Sequence, residues 1–144
     1  MRALLDVNVL IALLDANHIF HQKVHDWWGK NEGSGWASCP ISENGVIRIM
    51  THHSYPRQKR LNVLEVITNL RAFATNTNHE FWPEDISLRD SKIFEPERIL
   101  SGTLLTDLYL LALAAKNQGA LVTLDQNISL SAVRTAKPEH LNIL

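Results

Sequence analysis

Residues 2–15 read RALLDVNVLIALLD, and the two polar side chains in the middle of this run, Asp6 and Asn8, decide the fold. Ala3 to Leu5 is a short, fully apolar strand, and Asn8 to about Leu14 is a helix that follows almost without a loop. Asp6 sits at the junction. A carboxylate buried there without a partner costs several kcal/mol, on the order of the transfer penalty for an uncompensated polar group. The chain therefore has to satisfy Asp6 with hydrogen bonds, a positive side chain or a metal ion.

Working outward, a second helix is expected from about Phe20 to Asn31, ended by the turn Gly33-Ser34-Gly35. Trp36 to Cys39 reads as a strand, and Pro40 opens a helix that continues through ENGVIRIMTH. Leu61, Leu64, Ile67, Leu70 and Phe73 stand at helical spacing and predict a helix to about Thr75. Glu80 to Trp82 is a third strand, closed by Pro83, and SLRDSKIF at 87–94 a short helix that Ser87 can cap. Leu105 to Gln118 is the most apolar helix, ended by Gly119; Leu121 to Leu124 is a fourth strand and Leu141 to Ile143 a fifth. Strands alternating with helices predict an α/β fold, a mostly parallel sheet of four to five strands with helices on both faces, in one domain spanning 1–144.

Bulk properties narrow the function classes. Of 144 residues, 45% are hydrophobic and 20% charged, with a net charge of −1, so binding of nucleic acid would need a local basic patch or a metal. Cys39 is the single cysteine, which excludes an intrachain disulfide and fits a reducing compartment; its apolar neighbours favour a buried structural thiol. Apolar runs such as Val9 to Leu14 are far short of the roughly 20 residues that span a bilayer. A cytoplasmic protein is the expectation.

Right-handed crossovers bring the C-terminal ends of parallel strands to one edge. Asp6 and Asp125 directly follow the first and fourth strands. Glu43 and Asp107 lie in the first turns of helices whose N-termini face that same edge. Glu43, Val46, Ile47 and Met50 share one helical face, as do Asp107, Leu110, Leu111 and Ala114, so each acid heads an inward stripe. Any one of them alone fits a carboxylate stabilised by a helix dipole. Four together repel, and with no Lys or Arg at matching positions the neutraliser is a hard divalent cation, Mg²⁺ or Mn²⁺. Such a site, without a catalytic His, Ser or Cys, suits phosphodiester hydrolysis. Asn8 and Thr106 would steady an acid or a metal-bound water, or serve as plain helix caps.

The segments LLDVNVLIALLD, CPISENGVIRIM, FWPEDISLRD and LLTDLYLLALAAKNQGALVTLDQNI resemble the PIN domain, and within it the VapC-type toxins of toxin–antitoxin modules. The resemblance runs in order from Arg2 to Ile128. It implies a three-layer α/β/α sandwich and a Mg²⁺- or Mn²⁺-dependent endoribonuclease, often a homodimer, silenced by a cognate antitoxin. Asp6, Glu43 and Asp107 match the family's three most regular acids and Asp125 the more variable fourth. Many relatives carry a further acid just beyond; here Gln126 and Asn127 stand in its place, which bears on a second metal position.

Other features carry less. Arg57, Lys59 and Arg60 form a basic loop, either a solvated face or an RNA-backbone contact, and Arg48 is suited to an acid or a phosphate. His18, His21 and His25 have a spacing that binds Zn²⁺, but no HExxH pattern, and Lys23 and Asp26 mark a solvated face. Trp36 and Trp82 belong to the core; of Trp27 and Trp28 only one can face inward. Two rival readings are a phosphotransfer domain built on a phosphorylated Asp and a non-catalytic PIN-like module. Asn8 where the first wants a second acid, and the presence of all four acids, argue against them.

Overall fold

A computed structural model describes residues 1–56 and 60–144. Its strands are β1 (Ala3–Leu5), β2 (Trp36–Ser38), β3 (His79–Phe81), β4 (Ala120–Thr123) and β5 (Leu141–Ile143). The helices are α1 (Val7–Leu14), α2 (His21–Asn31), α3 (Pro40–Met50), α4 (Val63–Asn76) and α5 (Leu105–Lys116). The five strands pair in the order β3-β2-β1-β4-β5, and every pairing is parallel.

Each side of this sheet has its own core. Leu5, Trp36 and Val122 face α1 to α4, whose inner sides supply Val9, Val24, Trp28, Val46, Met50, Val66 and Leu70. Leu4, Ala37 and Leu121 face α5 and the segments carrying Trp82, Phe94 and Val133. Period-two alternation along three-residue strands thus feeds two layers, and the result is the expected α/β/α sandwich. Cys39 is buried, and burial pushes its thiol up. Trp36 and Trp82 are core; Trp28 is the inward member of its pair, and Trp27 is half-buried.

The strand order reverses between β1 and β4, because β2 and β3 lie to one side of β1 and β4 and β5 to the other. A crevice opens at such a switch point, outside the C-terminal ends of the two strands. Gly45 sets the position of α3 beside it: a Cβ there would stand 2.6 Å from Cγ2 of Val7, so only glycine lets α3 approach the start of α1 this closely.

Two expectations are corrected. Residues 87–94 form turns and not a helix, because local side chains capture the backbone: the Ser87 hydroxyl accepts from the Arg89 N–H and Oδ1 of Asp90 from the Lys92 N–H. Phe94 then forms an antiparallel bridge with Val133. On α4, Leu64 is 71% exposed, and the inward face is instead Val66 and Leu70, with Phe73 partly buried against it. The helix starts at Val63 because Asn62 caps it reciprocally with Glu65.

Candidate active site

Asp6 ends β1 and caps α1. Its Oδ1 accepts from the Val7 N–H at 2.6 Å, and its Oδ2 from the Thr123 hydroxyl at 2.8 Å. The side chain is buried, and burial raises its carboxyl above the usual range despite both bonds. Thr123 ends β4, and its Oγ1 accepts from the Asp125 N–H at 3.0 Å. Asp125 accepts in turn from the Asn127 N–H at 2.8 Å, a turn that holds its carboxylate over the strand end.

Asp107 reaches the same place from the first turn of α5. Desolvation, then the charges of Asp6 and Asp125, push its carboxyl up to about 6. A hydrogen bond to Asp125 contributes as well, and two carboxyls can make one only by sharing a proton. Asp6, Asp107 and Asp125 therefore form one electrostatic unit at the switch point.

Glu43 does not join them. Its Oε1 accepts from the Ser38 hydroxyl at 2.6 Å, and Ser38 also meets Nε2 of His79 at 2.8 Å. A hydroxyl has one proton, so with Ser38 donating to Glu43, His79 donates from Nε2. Ser38 alternates with Ala37, which packs on the α5 side, so this Glu43–Ser38–His79 chain lies toward the α1–α4 layer while the aspartates gather beside α5. Burial holds the His79 imidazole below its ordinary range, against the opposing pull of Glu43.

Neither Asn8 nor Thr106 is a cap. Asp6 takes that position in α1, and Leu104 in α5 makes no side-chain cap bond. Both are exposed in the first turns at the acidic rim, and Asn8 lines a cavity with His18, Phe20 and Asp125. Arg48 and Arg60 are exposed, and among the described residues neither forms an ion pair. Arg57 and Lys59 lie outside the described residues. Lys23, His25 and Asp26 are exposed, and the His21 and His25 rings meet the Ala12 and Leu13 carbonyls at 2.7 and 3.4 Å, capping the C-terminus of α1.

Thr123, Ser38 and His79 escaped the sequence reading. A hydroxyl at the last residue of a strand, two before an acid, was the available signal for Thr123.

The aspartate unit fits a hard dication by its chemistry. Its donors are carboxylate oxygens, their pKa values are raised by crowding and burial, and no described cation pairs with any of them. Among the described residues no three His, Cys, Asp or Glu side chains already stand at ligating spacing. The fit is thus of charge and donor type, with Glu43 turned aside.

The PIN domain family model matches residues 3–134. Ribonuclease VapC44 of Mycobacterium tuberculosis (strain ATCC 25618 / H37Rv) is 46% identical over 145 residues, covering 100% of both chains. Ribonuclease VapC39 of the same strain is 37% identical over 132 residues, 92% of this chain and 94% of its own. Ribonuclease VapC38 is 33% identical over 140 residues, 96% of each. The chain belongs to the PIN-domain family, in its VapC-type branch.

Proposed function

We propose that this chain is a Mg²⁺- or Mn²⁺-dependent endoribonuclease, the toxin of a toxin–antitoxin module, and that the single domain 1–144 carries the activity. The observation that carries the reading is the convergence of Asp6, Asp107 and Asp125 at the β1/β4 switch point without a described cationic partner. The relatives named as VapC ribonucleases, matched over 94% or more of their length, support it.

Asp6, Asp107 and Asp125 would hold the ion, with Glu43 joining after rotation away from Ser38. A bound ion supplies charge stabilisation at the phosphoryl group and a more acidic water. The chain's own part is to fix the geometry. Thr123 and the Val7 N–H lock the Asp6 carboxylate, the Asp125 turn fixes the second acid, and α5 delivers the third. Asn8 and Thr106 stand where they orient water or a phosphate oxygen, and Arg48, Arg57, Lys59 and Arg60 are the backbone contacts. A cognate antitoxin would cover the acidic rim, and the working form is a homodimer. Among the described residues no helix is long and apolar enough to cross a membrane.

The deciding experiment is cleavage of RNA by the native chain and by Asp6→Asn, which keeps shape and removes charge. Cleavage should fall by about two orders of magnitude or more, as when a major electrostatic element is lost. Near-native cleavage by the folded variant would refute the assignment.

A further inference from the structure

The carboxylate unit has a neighbour that the proposed chemistry does not use. A cavity of about 390 Å³ opens beside it, and Asp107 belongs to both. Leu100, Leu104 and Ile128 supply apolar walls; Asn127 and Ser131 stand among the polar lining. Leu100 is 88% exposed and presents its side chain at the open side of the cavity. The Asn127 side-chain amide makes no hydrogen bond among the described residues, so its donor and acceptor are both unspent.

The walls are preformed. The Glu95 N–H donates to the Ala132 carbonyl at 3.0 Å and the Arg134 N–H to the Ile93 carbonyl at 2.7 Å, so the 93–95 and 132–134 segments form a miniature ladder behind the cavity. Glu95 also pairs with Arg98 at 3.4 Å and Arg134 at 3.3 Å. A pocket that needs no rearrangement loses less free energy on binding.

We propose that this cavity is a nucleobase pocket, which receives an unstacked base of single-stranded RNA next to the phosphate held at the aspartates, with the Asn127 amide reading the base edge. The proposal rests on the ribonuclease reading and deepens it. A phosphate at the aspartate site brings its neighbouring base to the Asp107 side of the crevice. Proteins that read single-stranded RNA splay bases into apolar or aromatic slots and bond their polar edges. An open, largely apolar cavity whose polar lining, with Glu97 and Arg98, includes the uncommitted Asn127 amide supplies both parts, and Asn pairs bidentately with adenine most readily.

Binding of fluorescent five-nucleotide homopolymers of A, C, G and U is measured with the aspartates intact in millimolar Ca²⁺, with the RNA checked for integrity. The parent should prefer one homopolymer, by about ten-fold or more, the scale of one well-held base. Asn127→Ala should collapse that preference to near equality. Ser131→Trp, at an exposed position, should fill the cavity and weaken binding of the preferred RNA by about ten-fold. Equal binding of all four by the parent, or unchanged binding by Ser131→Trp, overturns the proposal. So does a Ser131→Trp variant that keeps RNA and instead releases the antitoxin co-expressed from its own operon, which would make the cavity a protein-docking site. The Mn²⁺-induced rise in unfolding temperature, read with Asp6 intact, should be unaltered by either substitution. Its absence from the native chain would sink the metal reading and leave these binding ratios interpretable.

Discussion

The Thr123 hydroxyl donates to Oδ2 of Asp6 at 2.8 Å and at the same time accepts from the Asp125 N–H at 3.0 Å. One side chain thus fixes two acids, and it does so from the end of the strand adjacent to Asp6's own. Thr123→Val keeps the branched shape and removes both functions. A buried hydrogen bond to a charged group contributes about 1.5–3 kcal/mol, so a loss of that order is expected in denaturant unfolding. RNA cleavage should fall by about ten-fold or more, as for partners that orient metal ligands. A variant equal to the native chain in both would show that the bond is incidental.

Asp107 gives the protein a pH dependence whose sign is fixed. Its carboxyl is raised from 3.8 to about 6, so between those values the native state binds more protons than the unfolded chain. Stability in the metal-free protein should therefore fall as pH rises through that window. Asp6, raised by burial, acts in the same direction. Asp107→Asn should remove most of the slope and raise stability at neutral pH by about 1–2 kcal/mol, allowing for solvent screening. Chemical denaturation between pH 4 and 7.5 in EDTA measures it. A slope unchanged by the substitution would assign the linkage elsewhere.

Metal should reverse that destabilisation. An ion that binds only the folded state stabilises it by about 2.7 kcal/mol at a hundred times its dissociation constant. Because protons and metal compete for Asp107 and Asp6, the apparent Mn²⁺ affinity should rise with pH across the same window. Calorimetric Mn²⁺ titration at pH 5 and pH 7 checks this, and Asp6→Asn should abolish most of the signal. A pH-independent affinity would remove these acids from the ligand set.

The parallel sheet and the two-layer core were legible because three-residue strands with apolar residues on both faces admit few alternatives. The meeting of Asp6, Asp107 and Asp125 was legible for the same topological reason. What failed was local. Ser87 and Asp90 form turns that mimic a helix start, and Leu64 shares helical spacing with the core without sharing its face. Glu43 shows a different limit: helix position brings its Cα to the rim, and the Ser38 hydroxyl holds one of its carboxylate oxygens. Side-chain partners across the sheet leave no periodicity to detect.

Ser38→Ala tests whether that partner matters. The Ser38 hydroxyl holds Oε1 of Glu43 and is itself held by His79, so Glu43 has one oxygen committed and one spare. Without the hydroxyl the carboxylate loses its fixed direction. Cleavage should drop by about ten-fold, less than for loss of a direct ligand, with a loss of about 1 kcal/mol in unfolding measured in EDTA. If Glu43→Gln cleaves as the native chain does, the Glu43 chain is structural and Ser38→Ala should be silent too.

The basic loop addresses how RNA approaches an acidic rim at all. The net charge of the chain is −1, and three aspartates crowd the crevice, so unscreened RNA is repelled from it. A bound dication offsets only the centre. Arg60 is exposed and without a described ion pair, and Arg57 and Lys59 precede it in sequence. The loop joins α3, which carries Glu43, to α4, which packs against α3. Cations that meet phosphates in this way position a substrate without reading its bases. Replacing all three residues by Ala should weaken RNA binding across sequences. The slope of log affinity against log salt should flatten by up to about 2, since each phosphate of a single strand left without its cation accounts for about 0.7. Turnover at saturating RNA should hold, because the aspartates are untouched. The measurement is a salt titration of binding in the Asp6→Asn background. An unchanged slope would mean that the cations steering RNA come from another face, and that this loop serves the surface or a protein partner.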